Sequence, residues 1–105
     1  MQDTSWETIA RLVEWLDQES PVAPETARLL RLMKITEEAG EVAEAVQGAL
    51  GSNPRKGHSH TWDDVQNELC DVIFTSMVAL ATINPDAGKI FEERLEFIAG
   101  RSLPG

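Results

Sequence analysis

The segment WDDVQNELCDVIFTSMVALATI, residues 62–83, constrains the fold more than any other part of the chain. At about 100° per residue, its apolar side chains cover two faces of a helix rather than one. One face carries Val65, Leu69, Val72, Ile73, Ser76, Leu80 and Ile83, and the other carries Cys70, Phe74, Val78 and Ala81. A helix that is apolar on nearly all sides is buried by its neighbours. In a chain of 105 residues, this predicts contact with another subunit.

A thin polar stripe runs between these two faces, formed by Asp64, Glu68, Asp71 and Thr75. We expect Glu68 and Asp71 to lie in packed apolar surroundings, where an unpaired ionised carboxylate is very costly. The chain has 9 Lys and Arg against 18 Asp and Glu, so few basic side chains are available to pair with them. A bound cation would neutralise them instead.

Two helices are predicted before this segment, because apolar residues recur at helical spacing and no segment shows strand alternation. The first covers residues 5–18, with Thr4 and Glu7 spaced as a capping box. The second covers residues 24–50, with a proline in its first turn and Gly51 as its C-cap.

A loop rich in Gly, Pro, Asn and Ser follows at residues 51–61. Thr61 and Asp64 are spaced as a capping pair for the third helix, which ends near residue 83. Asn84 and Pro85 suit the N-cap and first turn of a fourth helix ending near residue 100. The sequence therefore predicts the all-α class, as one four-helix domain over residues 1–105 whose core is completed by oligomerisation.

The charge balance excludes several partners. A formal net charge of -9 argues against binding to a nucleic-acid backbone or to an anionic membrane surface. No apolar run approaches the length of a membrane span, and the N-terminus lacks the basic and apolar regions of a secretory signal. The single cysteine, Cys70, suits a reducing compartment, so we expect a cytoplasmic protein.

The second helix carries its own acidic residues. Lys34, Glu38 and Glu41 fall on a narrow strip beside the apolar face, whereas Glu37 and Glu44 turn towards solvent. A glycine at position 40, inside this helix, costs about 1 kcal/mol relative to alanine. We expect another part of the backbone to approach closely at that point.

Carboxylates from two packed helices would form an oxygen-rich site for a hard divalent cation, Mg²⁺ or alternatively Mn²⁺. Residues three apart on a helix project to one side, so each helix can contribute two ligands. The predicted metal ligands are Glu38, Glu41, Glu68 and Asp71. A di-iron site is disfavoured because Glu-x-x-His pairs are missing, and zinc is disfavoured because there is one cysteine.

The segments EEAGE, residues 37–41, and ELCD, residues 68–71, resemble the EExxE…ExxD signature of MazG-like nucleotide pyrophosphohydrolases. These enzymes belong to the all-α NTP pyrophosphatase superfamily. The similarity extends over both central helices and covers roughly residues 24–83.

The resemblance implies an enzyme that hydrolyses a nucleoside triphosphate between the α and β phosphates and releases a (d)NMP and pyrophosphate. Nucleotide-pool house-cleaning is the role that it suggests. It implies that Glu38, Glu41, Glu68 and Asp71 bind Mg²⁺ and that Glu37 is a further ligand or a water-orienting acid. A homodimer or homotetramer is implied as well. Two alternatives stay open: another phosphoanhydride substrate, or a non-catalytic helical module that binds a nucleotide or a protein partner.

Basic residues near this site are candidates for phosphate contacts. Lys34 lies one turn before Glu38, so it either pairs with that carboxylate, which we favour, or contacts a phosphate. Arg55 and Lys56 are candidates because their loop precedes the third helix, although a solvated loop is an almost equal alternative. His58 and His60 are expected at the surface.

Two tryptophans are candidates for contact with a nucleobase, because any base offers a π face. Trp62 begins the third helix, where relatives often carry an aromatic residue near the base, and a position in the core is the alternative. Trp15 lies at the shoulder of the first helix's apolar face, so it is the better base-contact candidate of the first helix's two tryptophans, although a core position is favoured for both. Trp6 is expected in the core, and Cys70 is expected to be buried at a subunit interface.

Overall fold

The computed structural model describes residues 3–105, which form four α-helices and no strand. These are α1 (Asp3–Glu19), α2 (Pro24–Leu50), α3 (Trp62–Ile83) and α4 (Ala87–Ser102). The predicted all-α class is confirmed. None of the helices in the described part is both long enough and apolar enough to cross a membrane.

The longest helices, α2 and α3, form the main packed pair, and they run antiparallel. Arg31, early in α2, contacts Thr82, late in α3, whereas Glu41, later in α2, contacts Glu68, early in α3. Helix α1 packs on α3, and α4 packs on α3 and α1. The core between α1 and α3 is made of Ile9, Met77 and Val78, with Trp6, Val13, Leu16 and Ala81 packed against it. The predicted core position of Trp6 is therefore confirmed.

The described chain is flat and open. It measures 50 × 46 × 22 Å, so it is about two helix diameters thick. Its radius of gyration is 16.8 Å, whereas a compact chain of this length would have roughly 13 Å. Leu69, Ile73 and Phe74 on α3 keep 46%, 49% and 41% of their surface exposed. A single chain therefore covers only part of the apolar surface of α3.

Two of the predicted helix ends are confirmed. At the start of α3, the backbone N–H of Asp64 donates to Thr61 Oγ1 at 3.2 Å, and the Thr61 N–H donates to Asp64 Oδ2 at 2.8 Å. The hydrogen bond from the Thr61 backbone holds the pKa of Asp64 below its usual value. At the end of α2, Gly51 has a φ of 67°, a left-handed conformation that favours glycine.

Two other predicted ends are wrong. The capping box at the start of α1 does not form, because the helix begins at Asp3 and Thr4 lies inside it. Asn84 is not the N-cap of α4, which begins at Ala87 with Asp86 before it. Instead, Asn84 ends α3, and its Oδ1 accepts the Asp86 N–H at 2.8 Å in a short turn. Asn side chains make such local turns as readily as they cap helices, which explains the error.

The close approach predicted at Gly40 is also wrong, because a Cβ there would have no neighbour within 4 Å. The crowded glycine of α2 is the buried Gly48, where a Cβ would overlap the His60 imidazole and reach 2.5 Å from Ser59 Oγ. His58 Nδ1 lies 3.1 Å from the backbone oxygen of Ala49. The two histidines therefore fold the 51–61 loop back onto the end of α2.

Candidate metal site

The antiparallel pairing of α2 and α3 brings three carboxylates together. Each of Glu38, Glu41 and Glu68 offers an oxygen, and these three oxygens all lie within 4.8 Å of one another. Glu38 and Glu41 are three residues apart and so project to one side of α2, where α3 presents Glu68. We refer to Glu38, Glu41 and Glu68 as the carboxylate triad.

Parts of the triad are shielded from water. Glu38 keeps only 9% of its surface exposed. Glu68 Oε2 is buried and has no hydrogen-bond partner among the described residues. A buried carboxylate oxygen without a partner is costly. Three carboxylates converging on one point are also the donor set that Mg²⁺ and Mn²⁺ prefer, so these residues fit a divalent cation.

The protonation of the triad reflects its crowding. The negative charge of Glu38 raises the pKa of Glu41 above its ordinary value, a hydrogen bond with Glu38 adds to this, and the charge of Glu68 raises it further. Glu41 therefore holds its proton to higher pH than an isolated glutamate does. A cation at this point would reverse the effect, because it favours the ionised form.

One basic side chain reaches the triad. Lys34 Nζ lies 3.5 Å from Glu38 Oε1, one helical turn away, which confirms the predicted pairing. The side chain of Lys34 is 54% exposed, so water weakens this ion pair. One exposed ammonium group cannot balance three carboxylates, and the triad keeps a net negative charge.

The other predicted acids lie outside the triad. Asp71 is one turn beyond Glu68 and is exposed, so the prediction that it is buried is wrong for the described chain. Cys70, beside it, is exposed as well. Glu37 is exposed and lines a surface groove with Leu30 and Met33.

The two candidate tryptophans are both exposed, at 56% each. Trp15 lines a groove of about 410 Å³ between the end of α1 and the start of α2, and Lys34 lies in the wall of the same groove. Trp62 is the first residue of α3. A core position is therefore wrong for both Trp15 and Trp62.

The basic 51–61 loop follows the C-terminal end of α2, so along this helix it lies past the triad on the side opposite Lys34. Arg55 is exposed, and Lys56 lines a small cleft of about 40 Å³ together with Glu44, one turn past Glu41. His58 is exposed and His60 is half-buried. Contacts of Arg55 and Lys56 with a phosphate remain predictions.

Sequence reasoning missed Arg31 and did not weigh Thr75. The Arg31 side chain is 11% exposed and lies 2.8 Å from Asp17 Oδ1 and 3.0 Å from Thr82 Oγ1, so it links α1, α2 and α3. Its position three residues before Lys34, on the strip that carries Glu38, was the available signal. The Thr75 hydroxyl is buried and has no partner among the described residues, one turn beyond Asp71.

The match of a family profile places the chain in the MazG-like all-α NTP pyrophosphatase superfamily, and its four helices are consistent with that fold. Within it, the sequence profile described as phosphoribosyl-ATP pyrophosphohydrolase matches residues 8–96, and the chain belongs to this family. The matched range includes the whole of α2 and α3, and so the complete triad. Searches of curated proteins and of solved structures gave no significant match. The protein is a pyrophosphohydrolase acting on nucleotide pyrophosphate bonds.

Proposed function

We propose that the protein catalyses Mg²⁺-dependent hydrolysis of a nucleoside triphosphate between the α and β phosphates, releasing a monophosphate and pyrophosphate. The observation that supports this most directly is the carboxylate triad, in which a buried oxygen of Glu68 has no hydrogen-bond partner within residues 3–105. In an acidic protein, a divalent cation is what allows a polyanionic substrate to bind.

In this proposal Glu38, Glu41 and Glu68 hold the cation, and Asp71 contributes from its exposed position one turn away. When bound, Mg²⁺ (or Mn²⁺) offsets charge on the phosphate oxygens and lowers the pKa of an attacking water. Glu37 orients that water or serves as a further ligand.

Other side chains position the substrate in this proposal. Lys34, already beside Glu38, binds a phosphate oxygen, and Arg55 and Lys56 add contacts from the 51–61 loop. Trp15 and Trp62 offer exposed indole faces on which a base can stack.

A (d)NTP is the substrate that the acidic signature suggests, and removal of non-canonical nucleotides from the pool would then be the physiological role. A second candidate substrate is phosphoribosyl-ATP, because the matching family profile carries that name. Both substrates would lose pyrophosphate at the same carboxylates.

We further propose that the protein works in the cytoplasm as a homodimer or homotetramer. The support is the exposed apolar surface of α3, with Leu69, Ile73 and Phe74 each more than 40% exposed, together with the open shape of the described chain. An apolar surface of this kind is typical of subunit contacts.

The test is product analysis after incubation with NTPs, dNTPs and phosphoribosyl-ATP, in Mg²⁺ and in EDTA. We expect monophosphate and pyrophosphate in Mg²⁺ only. Diphosphate with inorganic phosphate would refute the proposed bond, and binding of nucleotide with no turnover would favour the non-catalytic module.

Substitutions at Glu41 and Asp71 test whether these carboxylates bind the cation. Glu41→Gln and Asp71→Asn should each reduce Mg²⁺-dependent turnover at least about a hundredfold with the helical content retained. Glu14→Gln, the same kind of change at an exposed position of α1, is the matched control. Unchanged activity in both Glu41→Gln and Asp71→Asn would overturn the site assignment.

A further inference from the structure

The part of the chain that the structure describes buries only two polar or charged residues, Glu38 and Thr75, which keep 9% and 5% of their surface exposed. Glu38 belongs to the carboxylate triad, whereas the proposed function gives Thr75 no role. The Thr75 hydroxyl has no hydrogen-bond partner within residues 3–105. A buried hydroxyl without a partner is costly, so this one calls for an explanation.

A threonine inside a helix has a local partner for its hydroxyl, the backbone oxygen four residues earlier. Thr82 Oγ1 donates to the Val78 oxygen at 2.8 Å, and Thr8 Oγ1 donates to the Thr4 oxygen at 3.0 Å. The Thr75 hydroxyl makes no bond of this kind to a described residue. Its proton can therefore be donated to a group outside its own helix.

The pairing of α2 with α3 places Thr75 opposite Glu38. Arg31 on α2 contacts Thr82 on α3. Seven residues along α2 lead from Arg31 to Glu38, and seven residues back along α3 lead from Thr82 to Thr75. Because the helices run antiparallel, both steps go in the same direction, by about 10.5 Å and about two turns. Glu38 and Thr75 therefore lie at about the same level, on the faces where α2 and α3 meet.

A second contact between the helices supports this placement. Glu68, seven residues before Thr75, reaches Glu41 on α2, and Thr82, seven residues after it, reaches Arg31 on α2. A spacing of seven residues returns to nearly the same face of a helix. The Thr75 side chain therefore lies on the face of α3 that meets α2, which agrees with its burial.

A neutral donor opposite Glu38 suits a carboxylate that binds a cation. Carboxylates that ligate metals are themselves held in orientation by hydrogen bonds from neighbouring groups. Lys34 Nζ, at 3.5 Å from Glu38 Oε1, is exposed, and its positive charge opposes that of an incoming cation. A hydroxyl can orient the Glu38 carboxylate without cancelling the negative charge that attracts the cation.

We propose that Thr75 is a positioning residue of the cation site, whose hydroxyl donates a hydrogen bond to the Glu38 carboxylate when the triad holds a divalent cation. Thr75 itself contacts neither the cation nor the substrate. This inference rests on the proposed function for the presence of Mg²⁺ or Mn²⁺ at the triad.

The experiment measures the binding of Mg²⁺ and of Mn²⁺ to the full chain by calorimetry, without nucleotide, and thermal unfolding in EDTA. Thr75→Val keeps the shape of the side chain and removes the hydroxyl, so its Tm in EDTA should be no lower than that of wild type. Its Kd for both cations should be about tenfold weaker, because loss of such a partner costs roughly 10–100-fold in metal affinity. Thr75→Ser keeps the hydroxyl and loses a buried methyl group, so its Tm should fall while its Kd stays that of wild type.

The matched control is Thr82→Val, on the same helix. The Thr82 hydroxyl is used within the protein, by Arg31 and by the Val78 oxygen, so its removal should lower Tm and leave the Kd unchanged. An unchanged Kd in Thr75→Val, or an equal loss of affinity in Thr75→Val and Thr75→Ser, would overturn the role of the hydroxyl. If Thr75→Val does not fold, Thr75→Ser against Thr75→Ala gives the same comparison, because that pair differs only in the hydroxyl.

The wild type separates this inference from the proposed reaction. Wild type that binds the cations but releases no pyrophosphate from any nucleotide would refute the proposed function, and Thr75 would still be judged by the Kd values of its variants. Wild type that binds neither cation would overturn the role of Thr75 together with the cation site.

Discussion

Replacing Glu68 by glutamine should stabilise the metal-free protein and remove its response to Mg²⁺. The oxygens of Glu38 and Glu68 lie within 4.8 Å. At that separation two negative charges repel by about 3.5 kcal/mol at an effective dielectric of 20 and by about 0.9 kcal/mol in bulk water. Glu38 is buried and Glu68 is half-buried, so we expect relief of about 1–3 kcal/mol in the free energy of unfolding. A glutamine amide can also donate a hydrogen bond to either neighbouring carboxylate.

The assay is thermal unfolding followed by far-UV circular dichroism at one fixed protein concentration, in EDTA and in a series of Mg²⁺ concentrations. In EDTA, Glu68→Gln should raise Tm by at least about 5 °C, given the usual relation between stability and Tm in a domain of this size. Wild type in Mg²⁺ at a hundred times Kd should gain about 2.7 kcal/mol. Glu68→Gln should gain far less, because it has lost a charged ligand.

The control is Glu14→Gln, an exposed glutamate on α1 whose replacement should change stability by no more than about 0.5 kcal/mol. Two results together would refute the predicted repulsion and the cation site: Glu68→Gln is less stable than wild type in EDTA, and Mg²⁺ still raises its Tm as much as it raises that of wild type. That result would mean that the Glu68 carboxylate is held by protein contacts rather than by a cation.

Two further predictions concern pH and glycine. The charges of Glu38 and Glu68 raise the pKa of Glu41 above its ordinary 4.5. The protonated Glu41 side chain therefore adds to the stability of the fold below pH 4.5, and this added stability is lost as the pH rises through the raised pKa. In EDTA, the Tm of wild type minus that of Glu41→Gln should therefore fall as the pH rises above 4.5, and a constant difference would contradict the cause assigned to the shift. Gly48→Ala should lower the free energy of unfolding by about 1–3 kcal/mol, because its Cβ would meet the 51–61 loop. Gly40→Ala, in open space on the same helix, should raise it by up to about 1 kcal/mol, and urea unfolding that gave both changes the same sign would refute the packing at Gly48.

The central helices were predictable because their signals are local. The apolar periodicity of α2 and α3, the Gly51 C-cap and the Thr61–Asp64 capping box all depend on residues within one or two turns. The position of Glu38 and Glu41 on one strip of α2 follows from the helical repeat alone. The end of α3 was less predictable, because the Asn84 side chain had two local hydrogen-bonding choices and the sequence does not rank them.

The candidate site was predictable as a set of acids but not as an arrangement. The helical repeat shows which side of its helix carries each carboxylate. The resemblance to a known signature indicated that the acidic sides of α2 and α3 face each other. Which acids meet depends on the offset between α2 and α3, which is set by packing along their whole length. That offset brings Glu38 and Glu41 to Glu68 and leaves Asp71 exposed.

The sequence by itself determined the helical class and the two acidic helices, because both follow from composition and short-range periodicity. Only the tertiary structure decided that a buried oxygen of Glu68 has no partner among the described residues, that Arg31 links three helices and that Trp15 and Lys34 line one groove. These features join residues distant in sequence. They arise when the apolar faces of separate helices are buried against one another, a process whose outcome no single segment encodes.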